Sequence, residues 1–299
     1  MTTPTAARPS AVAEHRITVD GTDTRYLTAG SGRPLLLVHG EGSVAEEWYD
    51  VLERLSDDYR VIAVDLPGYG YTEPIPDASA RALAAFVWRF AAAAGLERPV
   101  LVGHSLGGAV ATHAALAHPD RVPGLVLIGS GGMGRVITPA FVLMSVTPLG
   151  DLVRWLIPLL PLGPKLLTAS AALVGACRPW RISAPWWSSQ EQAVDTPGVL
   201  DTTLRSHRSA VGLLGQREPL LGRLPELPMP TLVAWGLQDR LLPFWQAIGA
   251  RLRLRRGRLA LFAFSGHLLP MEAPDALLRA VRPFLADLDG DPGDEGGRS

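Results

Sequence analysis

The sequence is poor in cysteine and in lysine. Its only cysteine is Cys177, which excludes an internal disulfide framework, and we interpret this residue as an inert, small apolar side chain. Lys165 is the only lysine beside 27 arginines, and the arginines are scattered rather than clustered. The formal net charge is -1. We therefore attribute the excess of arginine over lysine to the coding composition of the gene and not to binding of an anionic partner, and we expect no nucleic-acid surface.

Targeting and metal-binding signals are also missing. Residues 1–10 contain no apolar core after a basic start, so no secretory peptide is predicted and the expected location is the cytoplasm. The apolar stretch at 130–222 has its uncharged runs cut by Asp151, Arg154, Lys165 or proline, which makes them too short for a membrane helix. No histidine spacing suggests a metal site, and we expect neither a metal nor a cofactor.

Short apolar runs that favour strands alternate with stretches that favour helices over most of the chain. In 299 residues that are 47% hydrophobic, this alternation predicts an α/β domain with a mostly parallel central sheet covered by helices on both faces. The alternation breaks down where prolines and tryptophans accumulate, and we interpret that part as an inserted helical cap. The predicted divisions are a disordered lead (1–13), a core in two pieces (14–129 and 223–288), the cap (130–222) and a disordered tail (289–299).

One stretch, Gly103-His104-Ser105-Leu106-Gly107, matches the pattern G-x-S-x-G. An apolar run that favours a strand precedes it and a helical pattern follows it, so Ser105 is expected on a sharp strand-to-helix turn with its side chain exposed. Glycines on either side leave room for such a turn. The first turn of the helix directs its free N–H groups, that of Leu106 among them, toward whatever Ser105 attacks.

Asp239 and His267 follow Ser105 along the chain, and each comes just after a predicted strand. Because the carboxyl ends of strands in an open α/β sheet meet at one edge, the three loops are expected to converge. A serine hydroxyl becomes a good nucleophile when a neutral imidazole takes its proton and a carboxylate orients that imidazole. The sequence therefore predicts nucleophile Ser105, base His267 and acid Asp239, with Asp65, which also ends a strand, as the alternative acid.

Five short motifs occur in order along the chain. They are His39-Gly40, Asp65-x-x-Gly68-x-Gly70-x-Thr72, Gly103-His104-Ser105-Leu106-Gly107-Gly108, Gly236-x-x-Asp239 and Gly266-His267-x-x-Pro270-x-Glu272-x-Pro274. Over residues 14–288 the chain resembles the serine hydrolases of the α/β-hydrolase fold superfamily. The resemblance implies the α/β-hydrolase fold, the roles just given, and an oxyanion hole formed by the backbone N–H groups of Glu41 and Leu106.

Two positions depart from the family pattern. Thr72 stands where relatives usually have serine, which is a conservative change. Glu41 is less expected, because in relatives the side chain after His-Gly can face the pocket, close to the developing oxyanion. An ionised Glu41 opposes that charge unless it turns away or is neutralised by burial. A hydrogen-bonded structural role is the favoured interpretation, and a substrate contact is the alternative.

The sequence also predicts which residues surround the substrate. For His39 and His104 we favour hydrogen bonds that stabilise loops. For the cap tryptophans we favour packing, and an apolar pocket wall is the alternative. Three further histidines, His113, His118 and His207, are expected at the surface or in packing. The predicted pocket consists of His39, Gly40, Glu41, His104, Trp155, Trp186, Trp187 and Leu268.

These patterns predict an enzyme that cleaves an ester, lactone or thioester of an apolar substrate through an acyl-enzyme. Three alternatives remain open: a carbon–carbon hydrolase of the ring-cleavage-product type, a cofactor-free perhydrolase, and a non-catalytic module that binds a small ligand. The expected partner is a small apolar acyl compound. The apolar cap can also contact a lipid surface or a second subunit, so both a monomer and a homodimer are compatible with the sequence.

Overall fold

The computed structural model describes residues 12–290, and most of the predicted lead and tail lies outside that range. Four of their residues are described, and two of these, Ala13 and Asp289, belong to regular structure. Ala13 begins the first strand and pairs with Thr28. Asp289 ends the last helix and forms an ion pair with Arg33 at 2.7 Å. Ala13 and Asp289, predicted to be disordered, belong instead to regular structure, and the other divisions of the chain stay predictions.

Ten strands occur in the described chain, and eight of them form one sheet. In order they are β1 (Ala13–Val19), β2 (Thr22–Ala29), β3 (Pro34–Val38), β4 (Arg60–Val64), β5 (Val100–His104), β6 (Leu125–Ile128), β7 (Val211–Gly212), β8 (Gly215–Gln216), β9 (Thr231–Gly236) and β10 (Gly257–Phe262). The order across the large sheet is β1-β2-β4-β3-β5-β6-β9-β10. All neighbours run parallel except β2, which is antiparallel to both β1 and β4. The separate pair β7 and β8 is a short hairpin.

Eleven α-helices lie in the described chain. They are α1 (Tyr49–Leu55), α2 (Ala80–Ala93), α3 (Leu106–Ala117), α4 (Pro139–Val146), α5 (Leu149–Leu156), α6 (Gly163–Gly175), α7 (Ala184–Asp195), α8 (Val199–Ala210), α9 (Trp245–Arg253), α10 (Leu269–Glu272) and α11 (Pro274–Asp289). Helices α2, α3 and α9 pack on one face of the sheet, and α1, α10 and α11 pack on the other.

The central strands are apolar along their whole length because both faces of the sheet are covered. In β3, Leu36 and Val38 belong to the core on the side of α2 and α3, whereas Leu35 and Leu37 belong to the core on the side of α1 and α11. All four side chains are fully buried. Alternate residues of a strand point to opposite faces, so a doubly covered strand has no position for a polar side chain.

The helices α4 to α8 lie between β6 and β9, inside the segment predicted to form the cap. A small apolar cluster joins these helices to the core: Ala172 and Ala176 at the end of α6, Ile182, and Trp186 of α7 pack with Met271 of α10. The cap therefore adjoins the core near α10, next to the loop that carries His267.

Within residues 12–290 no single helix has both the length and the apolar character needed to cross a membrane. Helix α4 and the segment Leu149–Leu159 reach that length and apolarity only together, and their axes are bent by 85°.

Candidate active site

Ser105 lies on a sharp turn between β5 and α3. Its φ is 53° and its ψ is -117°, a conformation that residues with a side chain rarely adopt. A Cβ atom at Gly103 would lie 2.3 Å from the carbonyl oxygen of Gly107, and one at Gly107 would lie 2.1 Å from the carbonyl oxygen of Val38. The turn thus requires glycine at both positions, and it places the serine hydroxyl beyond the carboxyl end of β5.

His267 and Asp239 reach Ser105 from the loops after β10 and β9. Nε2 of His267 lies 2.9 Å from Oγ of Ser105, and Nδ1 of His267 lies 2.8 Å from Oδ2 of Asp239. Because Nδ1 faces a carboxylate it carries a proton, which leaves Nε2 of the neutral ring free to accept the serine proton. The structure brings the three predicted residues together in one hydrogen-bonded chain.

The Asp239 carboxylate is held in place by its own loop. Its Oδ1 accepts hydrogen bonds from the backbone N–H groups of Leu241 and Leu242, both at 2.9 Å. Its side chain is fully buried. One oxygen is therefore fixed by the backbone while the other faces His267.

Asp65, the alternative acid, has other partners. It is fully buried, forms an ion pair with Arg25 at 3.1 Å, and accepts hydrogen bonds from the N–H groups of Ala45 (2.7 Å) and Tyr71 (3.1 Å). Burial raises the pKa of Asp65 in spite of the opposing effect of Arg25. These contacts stabilise the loop that follows β4. The carboxylate that contacts Nδ1 of His267 is that of Asp239.

The loop that carries His267 is tied to the cap. The N–H of His267 donates to the carbonyl oxygen of Gly175 at 2.6 Å. The buried carboxylate of Glu272 accepts hydrogen bonds from the N–H groups of Gly266 and of Cys177, the latter at 3.0 Å. The end of α6 and the loop of His267 therefore share hydrogen-bond partners, which couples the position of the base to the cap.

A buried histidine–glutamate pair lies next to the His267 ring. Nδ1 of His104 is 2.8 Å from Oε1 of Glu47, and Nε2 of His104 is 2.9 Å from the carbonyl oxygen of His267. Both ring nitrogens face acceptors, so the ring carries two protons while Glu47 is ionised. The second oxygen of Glu47 accepts a hydrogen bond from the N–H of Gly40 at 3.1 Å.

The mutual attraction of this pair determines its ionisation. Burial lowers the pKa of His104, but Glu47 outweighs that effect and the pKa is raised overall. Burial likewise raises the pKa of Glu47, but His104 outweighs that effect and the pKa is lowered overall. The ion pair links the loop after β3, the residue that precedes the nucleophile, and the backbone of the base.

A cavity of about 190 Å³ lies beside Ser105 and His267. Glu41 and Leu106, the predicted oxyanion donors, both line it. Leu106 begins α3, so its N–H belongs to the first turn, where no intrahelical acceptor exists. The apolar part of the remaining wall includes Ala109, Ile137, Phe141, Val211, Leu241 and Leu242. Its polar part includes Ser79, Arg81, His113, His207, Ser209, Gln216 and Glu218.

The Glu41 side chain is paired with a histidine of the cap. Its Oε2 lies 2.9 Å from Nδ1 of His207 on α8, and Nε2 of His207 lies 2.8 Å from the carbonyl oxygen of Phe141 on α4. Burial lowers the pKa of His207, but the Glu41 carboxylate outweighs burial and raises the pKa overall. Glu41 is thus hydrogen-bonded and yet remains in the wall of the cavity beside Ser105.

Comparison with known proteins assigns this arrangement to a family. A family model described as the alpha/beta hydrolase fold matches residues 33–163. An uncharacterised protein of Mycobacterium tuberculosis is 30% identical over 283 residues, which cover 90% of this chain and 80% of that protein. The chain belongs to the α/β-hydrolase fold family.

Several relatives have named activities. The 2-hydroxymuconate semialdehyde hydrolase of Pseudomonas sp. is 28% identical over 284 residues, covering 90% of this chain and 92% of that protein. The pimeloyl-[acyl-carrier protein] methyl ester esterase of Vibrio vulnificus is 28% identical over 277 residues, covering 88% and 98%. The solved structure of a bacterial membrane phospholipase A matches with a TM-score of 0.78 at 26% identity, covering 94% of this chain and 87% of that one. The predicted α/β-hydrolase fold is confirmed.

Four residues predicted to line the pocket of this α/β hydrolase lie elsewhere. Trp155 is 63% exposed on α5. Trp186, Trp187 and Leu268 pack in or against the small cluster that joins cap and core. The cavity beside Ser105 is bounded instead by α4, the end of α8 and the β7–β8 hairpin. The packing of Trp186 and Trp187 agrees with the favoured interpretation of the cap tryptophans. No tryptophan of the described chain lines the cavity, so the alternative assignment of these side chains to the pocket wall stays a prediction.

His39, Gly40 and His104 are not among the residues that line the cavity. His39 is fully buried, and its Nε2 accepts a hydrogen bond from the N–H of Leu66 at 3.0 Å. Together with the contacts of His104, this bond agrees with the interpretation of both histidines as residues that stabilise loops. The assignment of these three residues to the substrate pocket stays a prediction, which the lining of the cavity does not support.

Sequence reasoning missed three residues in or next to the hydrolase site. His207 is expected at the surface or in packing, yet it lines the cavity, as does His113. Glu47 attracts no attention in the sequence. Their partners are 57 residues away for Glu47 and 166 residues away for His207, so no local spacing signals either pair. Within residues 12–290, no group of three or more histidine, cysteine, aspartate or glutamate side chains is arranged to hold a metal ion.

Proposed function

We propose that this chain is a serine hydrolase that cleaves an ester, lactone or thioester of a small apolar substrate through an acyl-enzyme. The observation that carries the proposal is the contact of 2.9 Å between Oγ of Ser105 and Nε2 of His267, whose Nδ1 faces Asp239. A serine, an imidazole and a carboxylate linked in this order form an activated nucleophile.

In the acylation step Oγ of Ser105 attacks the substrate carbonyl carbon while Nε2 of His267 takes the hydroxyl proton. The resulting imidazolium is stabilised by Asp239, which stays ionised. The oxyanion accepts hydrogen bonds from the backbone N–H groups of Glu41 and Leu106. Each such donor is worth roughly 10²- to 10³-fold in rate in other enzymes. His267 then gives its proton to the leaving alcohol or thiol, and the acyl group remains on Ser105.

Deacylation repeats the same proton path in reverse. A water molecule in the position of the departed alcohol gives a proton to Nε2 of His267 and attacks the acyl carbon. The second oxyanion collapses, the bond from Oγ of Ser105 to the acyl carbon breaks, and His267 returns the proton to Oγ. The acid product leaves, and the three side chains are back in their starting protonation states.

The size of the cavity supports a small acyl or aryl group. An apolar cavity of about 150 Å³ accommodates benzene, and the cavity here measures about 190 Å³. We therefore infer that an aromatic ring or a short alkyl chain fits beside Ser105. A longer chain must extend beyond the rim, past polar residues such as Arg81 and Glu218.

A second candidate is hydrolysis of a carbon–carbon bond in a ring-cleavage product. The relative named 2-hydroxymuconate semialdehyde hydrolase, 28% identical over 90% of this chain, favours it. The relative named pimeloyl-[acyl-carrier protein] methyl ester esterase, at the same identity, favours ester cleavage. The same serine, histidine and aspartate can serve both reactions, so the choice between them depends on the substrate that the cavity selects.

The test is turnover of the p-nitrophenyl esters of acetate, butyrate and octanoate, compared with turnover of a 2-hydroxy-6-oxohexa-2,4-dienoate. We expect kcat/KM to be highest for the short esters, and we expect acid-quenched protein to carry the acyl mass. Ser105→Ala should abolish both signals. A higher kcat/KM for the dienoate favours the second candidate. Folded protein that turns over neither class contradicts both and favours a ligand-binding module.

A further inference from the structure

The position of Glu41 creates an electrostatic conflict in the proposed reaction. Its backbone N–H is a proposed donor to the oxyanion. Glu41 lines the same cavity as Ser105, and its carboxylate contacts His207, which is another residue of that lining. A negative charge close to a developing negative charge raises the energy of the transition state, and most of all where water is excluded. The proposed mechanism therefore needs a cation close to Glu41.

His207 is the group placed to supply that cation. Its Nδ1 lies 2.9 Å from Oε2 of Glu41 and its Nε2 lies 2.8 Å from the carbonyl oxygen of Phe141. Both neighbours are acceptors, so the ring carries two protons and a positive charge while Glu41 is ionised. The side chain of His207 is 7% exposed and that of Glu41 is 17% exposed, so salt and water screen the pair only weakly.

The second oxygen of Glu41 strengthens this assignment. Among the described residues, Oε1 of Glu41 is buried and has no hydrogen-bond partner. Arg208, on the same helix as His207, acts on the His207 ring as a like charge, but its guanidinium is bound to Asp151. The contact that compensates the Glu41 carboxylate is thus the one with His207.

We propose that His207 is a positioning residue that neutralises Glu41, so that the cap supplies the counter-charge of the oxyanion hole. This inference rests on the proposed function. His207 belongs to α8 and bonds the backbone of α4, whereas Glu41 belongs to the core loop after β3. The charge of Glu41 in the oxyanion hole is therefore neutralised only when α8 and α4 pack against the core loop that carries Glu41.

A pair of variants tests the proposal. His207→Gln removes the cation and leaves Glu41 uncompensated, so kcat should fall by about 10- to 100-fold. KM should change little, because the oxyanion forms only after the attack. In the double variant Glu41→Gln/His207→Gln both charges are gone, and kcat should recover to within about threefold of the wild-type value. A double variant that is as slow as His207→Gln, or slower, overturns the proposal.

Two controls keep the test decisive. Circular dichroism and Tm establish that each variant is folded. If His207→Gln does not fold, two-bond ¹H–¹⁵N correlation spectra of histidine-labelled wild-type protein at pH 7 provide the second measurement. We expect both ring nitrogens of His207 to carry protons, and a neutral ring overturns the proposal.

The failure of this inference is distinguishable from the failure of the proposed function. Ester turnover by the wild type, lost in Ser105→Ala, tests the function without reference to His207. If the wild type turns over esters but the double variant does not regain kcat, only the role of His207 as counter-charge is contradicted. If the wild type turns over no ester, the proposed function is contradicted. The ¹H–¹⁵N spectrum still tests whether the His207 ring is charged.

A different surface of the cap carries a second inference. Helices α4, α5 and α6, with residues 157–162 between α5 and α6, expose large apolar side chains that are each more than half accessible. We call the following residues the cap apolar surface: Leu143, Leu152, Trp155, Leu159, Leu162 and Leu166. Soluble monomers rarely expose so many large apolar side chains in one region, so a partner is expected there.

The charge around this surface identifies the kind of partner. The elements of the cap apolar surface carry two basic residues, Arg154 and Lys165, and one acidic residue, Asp151. Arg154 forms an ion pair with Asp201 and Asp151 forms one with Arg208, both on α8, so the cation added by these elements is Lys165. Lys165 is exposed between Leu162 and Leu166. An apolar surface with a cationic excess complements the acyl region and the headgroups of an anionic lipid layer. A two-fold contact between copies of this chain brings the same cations together, which disfavours a second copy.

We infer that the cap apolar surface docks on an anionic lipid surface. The test is co-sedimentation with vesicles of phosphatidylglycerol and phosphatidylcholine, and with vesicles of phosphatidylcholine alone. We expect binding to the anionic vesicles, at least tenfold loss of affinity in Leu159→Asp/Leu162→Asp, and no loss in Leu252→Asp, which changes a leucine that is 77% exposed on α9.

Two results overturn the lipid inference. One is wild-type protein that does not bind anionic vesicles, or that binds equally well after the substitutions at Leu159 and Leu162. The other is a dimer in sedimentation velocity, abolished by the same substitutions, without vesicle binding. The dimer assigns the surface to a second copy.

Discussion

At the scale of the residue, the direction of proton transfer depends on Asp239. Its Oδ2 holds Nδ1 of His267 at 2.8 Å and so fixes which ring nitrogen faces Ser105. Asp239→Asn offers an amide in place of the carboxylate and removes the stabilisation of the imidazolium. We expect kcat for a short ester to fall by about 10⁴-fold.

The matched control for this prediction is Asp65→Asn. Asp65 is an equally buried carboxylate whose partners are Arg25 and two backbone N–H groups. We expect Asp65→Asn to lower the stability of the protein, while the kcat per folded molecule stays far above that of Asp239→Asn. Near-normal turnover by folded Asp239→Asn contradicts the assignment of the acid.

A second prediction at this scale concerns the pair of His104 and Glu47. Glu47→Gln leaves a buried imidazolium without its carboxylate, so the free energy of unfolding should fall by about 3–5 kcal/mol. The control is Asp287→Asn, which breaks the ion pair of Asp287 with Arg258, where both side chains are half exposed. In the control variant the free energy of unfolding should fall by about 0–1 kcal/mol. Urea denaturation measures both, and equal losses contradict the structural role of the buried pair.

The site could be predicted in part because its reactive residues leave local traces in the sequence. Ser105, Asp239 and His267 each follow an apolar strand, and parallel strands bring their carboxyl ends to one edge. Glu47 and His207 leave no such trace. Each is recognisable only through its partner, and the partner becomes a neighbour only when the chain has folded.

At the scale of the element, the nucleophile turn depends on the absence of side chains. A Cβ at Gly107 would lie 2.1 Å from the carbonyl oxygen of Val38, so α3 cannot keep its place against β3 with any other residue there. We expect Gly107→Ala to lose at least about 3 kcal/mol of stability or to yield no folded protein. Thermal unfolding followed by circular dichroism measures the change.

The control for the turn is Gly249→Ala in the middle of α9. The nearest contact of an added Cβ there is 3.9 Å away, at the side chain of Leu221. Alanine is a better helix former than glycine, so this variant should gain up to about 1 kcal/mol. Opposite signs for the two glycine variants are expected. A stable, fully active Gly107→Ala protein contradicts the close approach of α3 to β3.

Elements of the core were easier to predict than the cap. A strand covered on both faces, such as Pro34–Val38, is entirely apolar and short, and few other structures share that pattern. An apolar residue in the cap has several destinations: the pocket, the seam with the core, or an exposed face. Trp186 packs at the contact between cap and core, whereas Trp155 lies on an exposed face. Composition alone does not show which of these positions a tryptophan occupies.

At the scale of the whole molecule, the buried pair of Glu47 and His104 predicts how stability depends on pH. The pKa of Glu47 is lowered from 4.5, so its contribution is present above pH 4.5 and is lost as pH falls through the folded value. The pKa of His104 is raised from 6.5, so its contribution is complete below pH 6.5 and is lost as pH rises through the folded value. The pair therefore stabilises the fold most between these limits.

We expect the Tm of the wild type to be highest within this window and to decline on both sides. Glu47→Gln removes the cause of both shifts, so its Tm should vary less with pH on either side. Asp287→Asn, at an exposed ion pair, should follow the wild-type profile. A Glu47→Gln profile that runs parallel to the wild type from pH 3 to 9 contradicts this prediction.

The central claim is that Ser105 is the activated nucleophile of this hydrolase. Intact-protein mass after reaction with a fluorophosphonate tests it most directly. The comparison uses the wild type, Ser105→Ala and Ser188→Ala, the last of which changes an exposed serine on α7. The account predicts a single adduct on the wild type and on Ser188→Ala, and none on Ser105→Ala. An adduct that persists in Ser105→Ala, or a folded wild type that forms none, contradicts it.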